Sequence, residues 1–247
     1  MYPTLSVGPL ALPTGPLLTI AAAVLGLEIM GRYGRRFQLY PDLLWNGGLI
    51  AALVGLAVAR LWNVYRFWYV YQAEPLLIVS PRPGGFALWP GIIAAVLAAY
   101  VYMIYHRLDP LPVSAAAAVG LIAAGMVRSL ADYLTGAAVG APSTLPWAQF
   151  YFGAWVHPVG IYRLLGLGLL LLILWNISAW RKSAMSPVQV LLFSLFGYSL
   201  VRLMADGFLA EPLLLGQVRA TQALALVGCL SAALLLARLH HSARSTK

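Results

Sequence analysis

RSLADYLTG (residues 128–136), GAPSTLPW (140–147) and WVHPVGIYR (155–163) close a Gly/Ala-rich apolar run that opens at Gly120. An arginine ending a hydrophobic span is costly, roughly 2.5–3.5 kcal/mol at mid-bilayer on insertion scales, so it sits near an interface or meets an anion. Arg128 is therefore the first candidate site residue. The two segments after it are rich in turn formers and aromatic residues, which places them outside the apolar layer.

Working outward, the whole chain repeats this alternation of apolar run and polar connection. With 62% hydrophobic and 9% charged residues and a mean hydropathy of +0.83, the 247 residues carry too little polar surface to cover a water-soluble globule. The reading is an all-α, polytopic integral membrane protein forming one membrane domain. About seven apolar stretches approach spanning length, at 13–30, 43–59, 89–105, 113–130, 160–177, 188–205 and 220–237, against the roughly 17–25 residues a spanning helix needs. The opening MYPTLSVGPLALPTG has no basic segment ahead of an apolar core, so no removable signal peptide is expected. The lone Cys229 offers neither a disulfide framework nor a zinc cluster. No metal and no cofactor is expected.

The net charge of +9 is distributed between apolar segments rather than over one basic domain, which argues against nucleic acid and for anionic lipid as the partner. Arg32, Arg35, Arg36, Arg107, Arg181, Lys182, Arg238, Arg244 and Lys247 fall in one set of alternate loops. Retained positive charge marks the cytoplasmic side, so the carboxyl terminus is expected inside and the amino terminus outside. The long connections 60–88, 131–159 and 206–219 then face outward.

Arg60, Arg128 and Arg202 are each expected at the outer end of an outward-running span, where positive charge is normally scarce. A cation also suits a helix carboxyl terminus and can snorkel to headgroups, but three together favour an anion, and guanidinium groups bind phosphate in bidentate fashion. Arg128 with Asp132, and Arg202 with Asp206, share an i,i+4 spacing that puts both members on one helix face. Each is either a plain ion pair, or a carboxylate that orients its arginine toward phosphate or accepts a proton. His157 precedes Pro158 just outside the fifth span, with Tyr162 and Arg163 about one turn further on. It is either a hydrogen-bonded structural group or a base, a role imidazole suits because it changes charge near neutral pH. His106, His240 and His241 read as solvated flanks.

In order and spacing these elements resemble the bacterial prolipoprotein diacylglyceryl transferases over nearly the whole chain. VGPLAL (7–12) resembles that family's first outer segment, and residues 58–64 with Arg60 resemble its G-R-x-x-Y element. PRPGGFALWPG (81–91) resembles W-x-G-G-x-x-x-H-G-G. RSLADYLTG and the following VGAPSTLPW resemble G-R-x-G-N-F-x-N-G-E and G-x-P-T-x-L-P-W. His157, Pro158 and Tyr162 resemble H-P-x-Q-L-Y-E, and GYSLVRLMAD (197–206) resembles G-x-x-R-F-x-x-E.

The resemblance implies movement of a diacylglyceryl group from phosphatidylglycerol to the lipobox cysteine thiol of a prolipoprotein, at the outer face of the bacterial plasma membrane. It also implies that Arg60, Arg128, Arg202 and Tyr162 bind the lipid phosphate, while His157, Asp132 or Asp206 handles the proton. The departures fall on the chemistry: Trp89 and Pro90 stand where the family has histidine, the acid of N-x-x-N-G-E is missing, Arg163 replaces a glutamate, and Asp206 shortens one. The alternative is a catalytically inactive relative serving as a lipid-binding accessory subunit or lipid carrier.

Overall fold

In a computed structural model of the chain, residues 4–7, 10–79, 85–151, 153–181 and 185–245 are described. Gly8, Pro9, Lys182, Lys247 and residues 81–84 of the PRPGGFALWPG element lie outside them. Among the described residues seven helices are long and apolar enough to cross a membrane, over Thr14–Phe37, Pro41–Arg66, Leu88–Tyr105, Pro110–Thr135, Val159–Ile177, Pro187–Phe208 and Ala220–His241. Every expected span is matched, and the molecule is a multi-pass membrane protein.

The helical elements are α1 (Thr14–Gly34), α2 (Pro41–Arg66), the short α3 (Trp68–Tyr71), α4 (Leu88–Tyr105), α5 (Pro110–Thr135), α6 (Val159–Arg181), α7 (Pro187–Ala205) and α8 (Ala220–Ser245). Their ends follow local chemistry. Asp109 caps α5, accepting from Leu111 N at 3.1 Å with Pro110 at the first helical position, where a missing N–H costs nothing. Ser186 and Gln189 form a reciprocal capping box on α7. Gly136, with φ 74°, stops α5 in the left-handed conformation that glycine adopts without a Cβ clash. Helix α5 thus runs about two turns past Arg128 and α2 nearly as far past Arg60. The arginines sit inside helices rather than at their ends, because helical hydrogen bonding continues beyond the apolar window until a breaker is met.

Packing runs from α4 on α2, α2 on α1 and α1 on α5 to a trio of α5, α6 and α7 that all touch one another, with α8 on α7. Small residues set the close crossings, as expected where lipid tails offer no hydrophobic drive between helices. On α1 and α5, a Cβ added at Gly120 would lie 2.8 Å from Met30 Cβ, and one at Gly26 would lie 3.1 Å from Ala124 Cβ. Around α5 the buried core includes Tyr33, Val119, Ile122, Leu167, Leu174 and Val190, while the outer faces present exposed Leu, Ile and Val, such as Ile93, Val96 and Leu97 on α4.

At the end where α5 stops and α6 starts, the connections weave into a cap. Strands β3 (Gln149–Tyr151) and β4 (Ala154–Val156) form one hairpin and β5 (Leu214–Leu215) and β6 (Val218–Arg219) another; at the amino terminus β1 (Thr4–Val7) pairs with β2 (Leu10–Pro13). Ala141 N donates to Phe208 O at 2.7 Å, Ala210 N to Val139 O at 3.0 Å, and His157 N to Ala141 O at 3.0 Å. GAPSTLPW is irregular, as its composition implies, with a turn closed by Ala148 N donating to Leu145 O at 2.9 Å. These bonds stitch the α5–α6 connection to the α7–α8 connection and hold His157 and Phe208 together beneath it.

If the α1–α5 crossing depends on the absence of a side chain, Gly120→Val forces the helices apart at a cost of about 1–3 kcal/mol. The expected result is a lowered unfolding temperature of the detergent-purified protein, with Gly153→Val in an exposed cap turn as the comparison for backbone strain alone.

Candidate active site

Beneath the cap, three helices contribute five charges in alternating sign. Arg128 Nε donates to Asp132 Oδ1 at 3.0 Å along α5. From the first turn of α6, Arg163 places Nη1 3.8 Å from Asp132 Oδ2 and Nη2 2.6 Å from Asp206 Oδ1, with Nε donating to the same Asp206 oxygen at 2.8 Å. Arg202 on α7 completes the ladder, Nη2 lying 2.8 Å from Asp206 Oδ2. That last approach lacks hydrogen-bond alignment, so Oδ2 is ion-paired without a hydrogen bond. Exposure grades along the ladder, with the Asp206 side chain at 0% and Arg163 at 7% at the centre, against 28% for Arg202 and 55% for Arg128 at the ends.

That gradient assigns the energetics. A buried pair resists loss of one partner, at about 3–5 kcal/mol, because the other charge is left uncompensated, while an exposed i,i+4 pair contributes about 0–1 kcal/mol. The Arg163–Asp206 pair therefore ties α6 to α7, whereas the Arg128–Asp132 bond mainly orients the Arg128 guanidinium. Nη1 of Arg128 also reaches Thr19 Oγ1 on α1 at 3.4 Å.

Beside the ladder, Trp147 Nε1 donates to Tyr162 Oη at 2.9 Å, and the same oxygen lies 3.1 Å from His157 Nδ1. Indole is a donor only, so Trp147 occupies one lone pair of the phenol and steers it toward the imidazole. Phe208, two residues beyond Asp206, packs tilted against His157 with centroids 4.7 Å apart and edge-on against Tyr162 at 5.7 Å. Two recesses flank this group. One of about 480 Å³ is lined by Ser143, Thr144, Trp155 and His157; the other, about 590 Å³, by Tyr133, Trp147, Gln149 and Tyr162. Arg128 and Arg202 line neither.

Of the candidates named from sequence, Arg128, Asp132, Arg202 and Asp206 join one network, and His157 meets Tyr162. Arg60 is placed differently: its guanidinium donates to the carbonyls of Leu77, Ile78 (3.1 Å) and Gly85 (2.8 Å), and lies over the Tyr71 and Phe86 rings at 5.5 and 5.3 Å. These contacts hold the α2–α4 connection in place. The central member of the ladder, Arg163, reads from sequence as a neighbour of Tyr162 about one turn past His157 and as a departure from a family glutamate. One signal pointed further: no acid lies three or four residues from it on α6, so a buried guanidinium there requires a partner on another helix. Trp147 and Phe208 gave no sequence signal for their contacts. Among the described residues no group of His, Cys, Asp and Glu is arranged to hold a metal.

Spanning helices with a capped cluster of guanidinium groups at one end define an integral membrane protein. The family model for prolipoprotein diacylglyceryl transferase matches residues 4–238, and the chain belongs to that family. It is 28% identical over 215 residues to a phosphatidylglycerol–prolipoprotein diacylglyceryl transferase of Clostridioides difficile, covering 86% of this chain and 84% of that one. It is 27% identical over 235 residues to the protein of the same name from Thermosynechococcus vestitus, covering 91% and 87%. A Finegoldia magna relative, also so named, is 29% identical over 180 residues, covering 73% and 70%. An inactive accessory subunit or lipid carrier finds no support among these relatives.

The burial gradient sets a test of stability. Asp206→Ala is expected to lower the stability of the purified protein by about 3–5 kcal/mol and Arg128→Ala by no more than about 1 kcal/mol, measured by thermal unfolding in one detergent.

Proposed function

We propose that this protein transfers the diacylglyceryl group of phosphatidylglycerol to the lipobox cysteine thiol of a prolipoprotein, at the outer face of the bacterial plasma membrane. The observation that carries the reading is the alternating ladder, whose end arginines keep donors available, set beside the hydrogen-bonded His157–Tyr162 pair. Family membership supplies the reaction class. The outward position of the cap rests on the distribution of Lys and Arg, with Arg32, Arg35, Arg36 and Arg107 at the opposite ends of their helices.

In this reading Arg128 and Arg202 bind the phosphate of the lipid. The cysteine sulfur attacks the glycerol carbon that carries the phosphate ester; a C–S bond forms, the C–O bond breaks, and glycerol phosphate leaves with the bonding electron pair. Arginine stabilises the charge that builds on the departing phosphate. The thiol proton must leave because the thiolate is the nucleophile, and His157, coupled to Tyr162 at 3.1 Å, accepts it. Asp132 and Asp206 are held by arginines. They act by orienting those arginines, which leaves the imidazole as the better proton acceptor. Arg60 contributes by holding the connection after α2 through its carbonyl contacts.

The expected outcome for His157→Ala is a loss of transfer of about 10²–10⁴-fold, the usual worth of a positioned acid–base group, with lipid binding retained. Arg128→Ala and Arg202→Ala should instead weaken phosphatidylglycerol binding. The measurement is mass gain on a lipobox peptide incubated with phosphatidylglycerol, alongside a separate lipid titration. Undiminished transfer by His157→Ala, or unchanged lipid binding after both arginine changes, would refute the assignment.

A further inference from the structure

Arg163 has no assigned part in the reaction, yet it is the most enclosed cation of the site. All three of its guanidinium nitrogens are engaged: Nε and Nη2 with Asp206 Oδ1 at 2.8 and 2.6 Å, and Nη1 toward Asp132 Oδ2 at 3.8 Å. With its side chain only 7% exposed, it has nothing left to offer a ligand. The arginines on either side differ. Nη2 of Arg128, and Nε and Nη1 of Arg202, have no partner among the described residues, and both side chains reach solvent.

Without Arg163, what remains is Arg128 with Asp132 and Arg202 with Asp206, two ion pairs each of net charge zero, which attract an arriving anion only at short range through their guanidinium ends. With Arg163 present the five side chains carry three positive and two negative charges, net +1. Each carboxylate directs an oxygen inward to Arg163, while the unpaired donors lie on the two outer arginines. The charge surplus is delivered from a buried position, where it is weakly screened.

We infer that Arg163 is a positioning residue that turns two self-neutralised Arg–Asp pairs into one site of net charge +1, matched to a singly charged phosphodiester such as the phosphatidylglycerol headgroup. The inference rests on the proposal that Arg128 and Arg202 hold the lipid phosphate. It concerns affinity and charge selectivity, not the chemical step.

The test is a titration of purified full-length protein in detergent with short-chain phosphatidylglycerol, phosphatidylcholine and phosphatidic acid. The parent protein is expected to prefer phosphatidylglycerol to the zwitterionic phosphatidylcholine. Arg163→Gln, which takes the site to net zero, should weaken phosphatidylglycerol binding by about tenfold. Arg163→Gln combined with Asp132→Asn returns the charge to +1 and should recover most of that loss without restoring the guanidinium, a rescue that a purely structural role would not give. Asp132→Asn alone raises the charge to +2 and should shift preference toward the more highly charged phosphatidic acid.

Unchanged affinity in folded Arg163→Gln, or a folded double variant that fails to recover, overturns the inference. Should Arg163→Gln not fold, Asp132→Asn decides: an unaltered order of lipid preference overturns it. Phosphatidylglycerol binding unchanged by Arg128→Ala and Arg202→Ala overturns the phosphate reading itself, whereas a parent that does not discriminate phosphatidylglycerol from phosphatidylcholine, or a selective parent whose variants ignore charge, overturns only the role of Arg163.

Discussion

The contact between Arg163 and Asp206 joins the first turn of α6 to the end of α7 with an aspartate side chain fully removed from solvent. Bringing two such charges into an apolar surrounding is tolerated only where each finds good geometry and further partners. Asp206 has Arg202 as a second cation and Arg163 has Asp132 as a second anion, so the pair is embedded in a network rather than isolated. That network fixes the relative placement of α5, α6 and α7 at the capped end, and the position of Tyr162 follows, because it is the chain neighbour of Arg163.

The cap depends on the same placement. Its backbone bonds run from the α5–α6 connection to the α7–α8 connection, and they align only if the ends of α5 and α7 lie side by side. Phe208 begins one arm of this weave and also covers His157 and Tyr162. A shift in the helix ends would therefore alter the imidazole–phenol contact as well as the spacing of the arginines. Further from the site, glycines serve a different purpose: at Gly26 and Gly120 they let α1 approach α5 closely enough for Thr19 to reach Arg128.

Arg60 illustrates how similar sequence signals separate in space. Like Arg128 and Arg202 it lies toward the capped end of an apolar helix, but its described contacts are carbonyls and rings of the chain segment that follows. Backbone carbonyls of a neighbouring connection engage its guanidinium nitrogens in place of an anion. Position along a helix indicates that a cation needs a partner; it does not indicate which one.

The seven spans, the membrane class, and the i,i+4 pairs of Arg128 with Asp132 and Arg202 with Asp206 were determined by the sequence alone. Each depends on local periodicity or on neighbours within one helix, and hydrophobic windows of spanning length have few alternative fates. The family, too, was legible from ordered motifs. Only the tertiary structure decided that the two pairs belong to one ladder, that Arg163 bridges them, and that Trp147 steers Tyr162 toward His157. Those contacts cross between α5, α6, α7 and the cap, and they depend on helix rotation and on loop hydrogen bonds that no spacing within a single helix encodes.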